Sequence, residues 1–296
     1  MLAPGTARRH ALDDALAEID AGREAPSPEW KVRYALLLGL ERVLSEKPPH
    51  LASGTELRRH QVDALAGMLT ELIAAAQKGE NGNGPDEPDE DDEPDDELEL
   101  DPDAESDEDV GDPLPIEADP GAIRRYRFRH PTASGKTIAA SGFVEAADTE
   151  GVLILTHRRL LVDQFRRELT EHGYGLRFHD AVLDGHTAPR PANPITIQTY
   201  AWFARHVDEI ARDAYQLVIC DEAHTALGEK TSTAIRSLSE PIYIGMTATE
   251  ELIAKQVSDV FPASVDDLPL ADAARRGLIA PLRCLRVPPV AAINQV

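Results

Sequence analysis

The chain has 296 residues and a formal net charge of −23 at pH 7, and 42% of its residues are hydrophobic. This length accommodates one large domain or two small ones with a packed core. No run of about 18 apolar residues occurs, so no membrane span is expected. Charges near the N-terminus argue against a signal peptide, and Cys220 and Cys284 have neither zinc nor disulfide spacing. We therefore expect a cytoplasmic protein.

Helices are predicted at the N-terminus. The segments "ARRHALDDALAEIDAG" and "EWKVRYALLLGLERVLSE" carry apolar residues with helical periodicity, and Ala25–Pro28 separates them. A third helix is predicted from about Leu57 to Gln77. We interpret residues 1–78 as a small helical region that docks on the domain that follows.

An acidic, low-complexity segment follows at residues 79–121. Residues 80–119 contain 21 acidic and no basic side chains, so the rest of the chain has a net charge of −2. Such a segment buries too little apolar surface to offset its ordering entropy, and its like charges repel one another. We predict that it is a disordered insertion.

Strands and helices alternate between residues 122 and 281. Strands are predicted near residues 124–130, 151–155, 180–183, 194–198, 216–220 and 241–246. This alternation predicts an α/β fold in which a mostly parallel sheet has helices on both faces.

The stretch "HPTASGKT", residues 130–137, ends like a phosphate-binding loop. Gly135 lets the backbone approach an oxyanion, Lys136 supplies a positive charge, and Thr137 offers a hydroxyl to Mg²⁺ at the start of a helix. A predicted strand before the loop and a predicted helix after it provide the context that the motif requires. His130 occupies the first-glycine position, and we interpret it as a strand-end residue rather than a ligand.

A second motif lies in "QLVICDEAHTALG", residues 216–228. The apolar run from Leu217 to Cys220 is typical of a buried parallel strand. It places Asp221 and Glu222 at the carboxyl end of the sheet, where α/β proteins bind their ligands. One carboxylate can hold Mg²⁺ there, and the next can orient a water molecule.

In chain order, these motifs resemble the first motor domain of a superfamily 2 helicase or translocase of the DEAD/DEAH type. Six segments over residues 57–250 are similar to the family's Q motif and motifs I, Ia, Ib, II and III: "LRRHQ", "HPTASGKT", "LILTHRRLLVDQF", "ITIQTY", "DEAH" and "GMTATE". Within that family the chain looks most like the group of restriction subunits and repair helicases. The resemblance implies a RecA-like P-loop NTPase domain with ATP and Mg²⁺ as cofactors.

The resemblance also implies roles for residues of the ATP site. Thr137 and Asp221 would hold Mg²⁺, and Glu222 would orient the attacking water and accept its proton. His224 would connect the γ-phosphate side to motif III, and Gln61 would bind the adenine edge. The phosphates would be bound by the loop residues Thr132, Ala133, Ser134, Gly135, Lys136 and Thr137. Ala133 stands where the family commonly has glycine.

Contacts with nucleic acid are implied in the same way. Thr156, Arg158 and Thr199 would touch the nucleic-acid backbone. Thr247 and Thr249 would couple ATP hydrolysis to that contact. DNA is a more expected partner than RNA. The acidic segment either competes with nucleic acid for basic surface or acts as a passive spacer.

Residues 282–296 resemble the passage into a second RecA-like motor domain, which would complete catalysis in cis or in trans. The expected function is that of an ATP-dependent helicase or translocase, incomplete without that second domain. The alternative is a non-catalytic remnant that binds ATP or nucleic acid, or that serves as an interaction protein.

Overall fold

In a computed structural model of the chain, residues 3–78, 119–131, 135–185, 193–248 and 254–279 are described. The strands are β1 Arg125–Arg129, β2 Val152–Thr156, β3 Ile195–Thr199, β4 Leu217–Asp221, β5 Ile242–Thr247 and β6 Ala263–Asp267. The helices are α1 Ala7–Asp20, α2 Pro28–Trp30, α3 Leu36–Ser45, α4 Arg59–Lys78, α5 Lys136–Ala146, α6 Arg159–Glu171, α7 Tyr200–His206, α8 Glu229–Ser237, α9 Ala254–Val260 and α10 Leu270–Arg275. A π-helical turn, Lys31–Ala35, joins α2 to α3.

The strands form one six-stranded sheet in the order β3-β2-β4-β5-β1-β6. Each pairing between these strands is parallel. The central strands β2 and β4 are buried along their whole length, as expected for parallel strands that are covered on both faces. The predicted parallel α/β fold is confirmed.

Helices cover both faces of the sheet, and the strands supply a core to each face through the alternation of their side chains. In β2, Ile154 joins the core beneath α3, α4, α5 and α6, whereas Leu155 joins the core beneath α7, α8 and α9. In β4, Ile219 belongs to the first of these cores and Cys220 to the second. The sheet is therefore fixed from both sides.

The N-terminal helices pack directly on the α/β part of the chain. Leu37 and Leu40 of α3 and Leu65 of α4 share a core with Phe143 of α5. A Cβ atom added at Gly39 would overlap the backbone carbonyl oxygen of Ala146, so α3 lies against the end of α5 without space for a side chain. The helical region is thus continuous with the main core.

Two strand predictions were wrong. The segment 180–183 forms a single antiparallel bridge, between Leu183 and Ile210, and no ladder. Its backbone is bonded elsewhere, because the Val182 amide donates to the Tyr215 hydroxyl over 3.0 Å. Strand β6 was missed because its sequence, "ASVDD", has no apolar run and ends in two aspartates.

The domain boundaries at residues 1–78, 79–121, 122–281 and 282–296 stay predictions. Most of the acidic segment and the whole of the last range lie outside the described residues. Among the helices that the structure describes, none is both long enough and apolar enough to cross a membrane.

Candidate functional site

The predicted residues of motifs I, II and III collect at the carboxyl edge of the sheet, because each of these motifs lies at the end of a parallel strand. Lys136 begins α5 directly after β1 and its loop, Asp221 ends β4, and Thr247 ends β5. Thr132, Ala133, Ser134 and Thr249 lie outside the described residues. Of the phosphate-loop motif, the structure therefore describes residues 130–131 and 135–137.

Gly135 is the N-cap of α5 and has a φ of 92° and a ψ of 39°. This left-handed conformation is readily adopted by glycine and strained for other residues. A Cβ atom at this position would also lie 2.7 Å from Gln61 Nε2. Both the backbone angle and the close contact require glycine here.

Gln61 joins the predicted Q motif to the phosphate loop. It is the third residue of α4 and is 0% exposed. Its side-chain carbonyl accepts a hydrogen bond from the Arg58 amide (2.8 Å), as the reciprocal half of a capping box does. Its side-chain amide donates to the Gly135 carbonyl oxygen over 3.1 Å. The structure thus brings Gln61 to the loop, with both ends of its amide group bonded to protein.

Lys136 and Glu222 form an ion pair, with Lys136 Nζ 2.6 Å from Glu222 Oε1. Their side chains are 10% and 21% exposed, so the pair is largely screened from solvent. A partly buried pair of this kind is screened less by salt than an exposed surface ion pair. The candidate phosphate-binding cation and the candidate base are therefore in direct contact.

Glu222 has an unusual backbone conformation, with a φ of 47° and a ψ of 57°. Among the described residues other than glycine, it alone has a positive φ. Non-glycine residues in this region carry a free-energy cost, and such residues cluster at functional sites. Glu222 lies between the end of strand β4 at Asp221 and the short 3₁₀ turn Ala223–Ala226, which carries His224.

Asp221 is buried, and burial together with the neighbouring Glu222 carboxylate raises the pKa of Asp221 to about 6, while Lys136 acts in the opposite direction. The buried Tyr200 donates a hydrogen bond from its hydroxyl to the Asp221 carbonyl oxygen over 2.8 Å. Sequence reasoning missed this role for Tyr200. The signal was present, since a tyrosine closes the motif Ib-like segment "ITIQTY".

His224 lies between motif II and motif III. Its Nδ1 is 3.5 Å from Glu222 Oε2 and 3.4 Å from Thr247 Oγ1. The carbonyl oxygen of Thr247 in turn accepts a hydrogen bond from the His130 amide, over 3.0 Å. The structure therefore connects Glu222, His224, Thr247 and the start of the phosphate loop in one chain of contacts.

His130 is buried at the end of β1. Its ring centroid lies 4.9 Å from that of Phe128, in an edge-on arrangement, and 5.7 Å from that of His60. Such aromatic contacts are typical of a packed core. This environment agrees with the interpretation of His130 as a strand-end residue.

The three residues expected to contact nucleic acid differ in exposure. Arg158 is exposed and immediately precedes α6. Thr199 is half-buried and caps α7, because its hydroxyl accepts from the Trp202 amide over 3.2 Å. Thr156 is 0% exposed. Of the three, Arg158 presents its side chain to solvent, and Thr156 does not.

The residues present suit Mg²⁺ better than a transition metal. Among the described residues, no group of three or more His, Cys, Asp or Glu side chains could hold a metal ion. Mg²⁺ is usually bound through one or two protein oxygens, with phosphates and waters completing the coordination. The Thr137 hydroxyl, half-buried at the first turn of α5, and the Asp221 carboxylate form a donor set of that kind.

Comparisons with known proteins give one extended match. The family model described as "Type III restriction enzyme, res subunit" matches residues 55–252, about two thirds of the chain. A putative DNA 3'-5' helicase Rad25 of Halobacterium salinarum is 30% identical over 133 residues, which are 44% of this chain and 22% of that protein. The chain thus spans about a fifth of the length of this relative.

Solved structures also align with part of the chain. The helicase domain of Hef from Pyrococcus furiosus has 19% identity and a TM-score of 0.40, and the alignment covers 51% of this chain and 37% of that one. The SWI2/SNF2 ATPase core of Sulfolobus solfataricus, in complex with double-stranded DNA, has 19% identity and a TM-score of 0.38. Its alignment covers 46% of this chain and 30% of that one. At these scores the alignments add nothing to the strand order and parallel pairing described above.

Proposed function

Because the chain belongs to the family of type III restriction enzyme res subunits and carries a helicase-type RecA-like motor domain, we propose that it binds ATP with Mg²⁺ and couples hydrolysis to movement on DNA. The observation that carries this proposal is the Lys136–Glu222 ion pair at the carboxyl edge of the parallel sheet. It brings the cation of a phosphate loop and a carboxylate that follows a buried strand to one place, and phosphoryl transfer uses a group of each kind.

The proposed first step is an exchange of partners at Lys136. The β- and γ-phosphates of ATP offer this ammonium several anionic oxygens, which replace Glu222 Oε1, now 2.6 Å away. Glu222 is then free to orient a water molecule and to accept its proton. In this proposal nucleotide binding itself activates the base.

Asp221 and Thr137 would hold the metal ion. When bound, Mg²⁺ neutralises charge on the phosphate oxygens during transfer. The raised pKa of Asp221, which reflects its burial, means that the carboxylate must lose its proton before it can bind the cation. The affinity for Mg²⁺ is therefore expected to fall as the pH is lowered through about 6, because the cation must then displace a proton.

We propose that Gln61 recognises the adenine ring of the nucleotide. Its amide group now bonds to Arg58 and Gly135. An adenine edge offers both a donor and an acceptor, and could replace these two partners. Because Gly135 belongs to the phosphate loop, recognition of adenine at Gln61 would be transmitted to the phosphates.

We propose that His224 and Thr247 couple the presence or absence of the γ-phosphate to the contact with nucleic acid. The supporting observation is the contact chain from Glu222 through His224 Nδ1 to Thr247 Oγ1, with separations of 3.5 and 3.4 Å. A change in the position of Glu222 would reach β5 through these contacts.

We propose that DNA is the nucleic acid, since the Halobacterium relative is described as a DNA helicase. Phosphate contacts are proposed for Arg158, which is exposed with Arg159 at the start of α6. Movement along a DNA strand needs two protein contacts whose separation changes. A second RecA-like domain would supply the other contact, in cis or in trans. We place this activity in the cytoplasm.

The test is a binding measurement in two stages. Calorimetry with Mg²⁺ and a non-hydrolysable ATP analogue should show binding at one site. Fluorescence anisotropy with labelled single-stranded DNA and RNA of the same sequence should then show tighter binding to DNA. Absence of nucleotide binding would contradict the proposal. Nucleotide binding without hydrolysis, even when a second motor domain is supplied, would support the non-catalytic alternative.

A further inference from the structure

Thr156 is a buried polar residue whose side chain has no partner in the described part of the chain. The residue is 0% exposed, and its Oγ1 accepts or donates no hydrogen bond there. A buried hydroxyl without a partner is costly, and in native structures such groups are few. This hydroxyl needs a functional explanation.

The sheet register places Thr156 beside Asp221. Leu155 of β2 pairs with Cys220 of β4, so the next position of each strand brings Thr156 and Asp221 together across neighbouring strands. Neighbouring strands lie about 4.8 Å apart, which is within the reach of side chains on the same face. The two residues are therefore adjacent at the carboxyl edge of the sheet.

Both side chains belong to the same face. In β2 the alternating positions Val152 and Ile154 lie in the core that contains α5, and Thr156 continues this alternation. In β4, Leu217 and Ile219 lie in that same core, and Asp221 continues their alternation. The hydroxyl and the carboxylate thus share the side of the sheet on which α5 begins.

We propose that Thr156 is a positioning residue for the metal site, and that its hydroxyl donates a hydrogen bond to the Asp221 carboxylate, directly or through one metal-bound water, when Mg²⁺-nucleotide binds. This inference rests on the proposed function. A carboxylate is an acceptor only, and a donated hydrogen bond fixes its orientation and favours its charged form. Because Thr156 is fully buried, this role fits its location better than contact with a nucleic-acid backbone.

The proposal gives an unusual combination of effects for Thr156→Val. Valine keeps the shape of threonine and removes the hydroxyl, so the melting temperature without ligand should equal or exceed that of the wild type. The affinity for ATP analogue in EDTA should stay unchanged. The gain in affinity on adding Mg²⁺ should fall by about 3- to 10-fold, the worth of one hydrogen bond. Thr156→Ser, which keeps the hydroxyl, should restore most of that gain.

Thr196→Val is the matched control. Thr196 is a buried threonine in the neighbouring strand, and its hydroxyl is already bonded, donating to the His179 carbonyl oxygen and accepting from Tyr215. Its removal should lower the melting temperature and leave the Mg²⁺-dependent gain unchanged. The two valine variants should therefore show opposite patterns in stability and in metal dependence.

Three outcomes would overturn the inference. Equal Mg²⁺-dependent gains in the wild type and Thr156→Val would do so while leaving the proposed function intact. A loss of single-stranded DNA affinity in Thr156→Val with unchanged metal dependence would assign the residue to nucleic-acid contact instead. A wild type that binds no Mg²⁺-nucleotide would contradict the proposed function, and this inference with it.

Discussion

Lys136 Nζ and Glu222 Oε1 lie 2.6 Å apart, so the cation of the phosphate loop and the candidate base satisfy each other in the nucleotide-free structure. The two residues are 86 positions apart in the chain, and strands β2, β3 and β4 and helices α6 and α7 lie between them. The ion pair means that substitution of either residue also changes the environment of the other.

Lys136→Ala should weaken the binding of Mg²⁺-ATP by about 10- to 100-fold, because a charge-assisted contact with the phosphates is lost. Isothermal titration calorimetry on the wild type and the variant measures this change. Lys230→Ala, which removes an exposed lysine on α8, is the control and should bind as the wild type does. Equal affinities in the wild type and Lys136→Ala would remove Lys136 from the site.

Glu222→Gln should bind ATP at least as tightly as the wild type and lose turnover. Glutamine keeps the shape of the side chain but lacks the negative charge that holds Lys136 and the basicity that accepts a proton. Single-turnover hydrolysis and calorimetry together separate the two effects. Hydrolysis at the wild-type rate would give Glu222 another role, and Glu229→Gln, at an exposed position, controls for the loss of one charge.

Asp221→Asn should stabilise the ligand-free protein at pH 8 and have little effect near pH 4. The folded state raises the pKa of Asp221 to about 6, whereas an unfolded chain has a value near 4. The folded state therefore holds the proton more tightly, and its stability falls as the pH rises from about 4 through 6. Asparagine avoids this loss, which amounts to about 1–3 kcal/mol.

Chemical denaturation of the wild type and Asp221→Asn at pH 4, 6 and 8 tests this dependence. The stability difference should grow with pH and level off above about pH 7. Asp184→Asn, at an exposed position, should show no such growth. A variant less stable than the wild type at pH 8 would contradict the prediction.

Gly135→Ala should destabilise the protein by about 1–3 kcal/mol and weaken nucleotide binding, because alanine is strained at a φ of 92° and its Cβ displaces Gln61. Gly185→Ala separates the two causes. Gly185 has a φ of 77° with no atom within 4 Å of an added Cβ. This variant should show the strain in its free energy of unfolding and retain wild-type nucleotide affinity.

Gly39→Ala should lower stability by at least about 2 kcal/mol, although glycine to alanine within a helix is ordinarily favourable by about 1 kcal/mol. The added Cβ meets the rigid backbone carbonyl of Ala146. In Gly142→Ala the Cβ meets side-chain carbons of Leu65 at 3.2 Å, which can move, so the change should be smaller. Stabilisation by Gly39→Ala in a denaturant titration would mean that α3 does not pack on α5.

The sheet was predictable where burial leaves a clear pattern. Strands β2, β4 and β5 are buried throughout, and their apolar runs revealed them. Strand β6 lies at the edge beside β1, where one side has no neighbour among the described strands, so its sequence needs no apolar run. Its apolar residues Ala263 and Val265 are only partly buried against the core, and two apolar residues are too few to reveal a strand by periodicity.

The candidate site was predictable in its residue types and not in its contacts. The motifs indicated Lys136 and Glu222 separately, yet their ion pair depends on the sheet order. The left-handed backbone of Glu222 had no signal, because no glycine marks it. The burial of Thr156 could not be predicted either. In the sequence it stands between the apolar run of β2 and the exposed residues His157 and Arg158, and the pattern does not show to which of them it belongs.

The bond between Gln61 and Gly135 bears on how the polypeptide could be divided. The two residues are 74 positions apart, and residues 79–118 lie between them in the chain. The helices α3, α4 and α5 hold these two residues together through a shared core that contains Leu40, Leu65 and Phe143. A backbone cleavage within residues 79–118 would therefore leave the nucleotide site whole, and two separately produced polypeptides ending and starting there would reconstitute it by complementation.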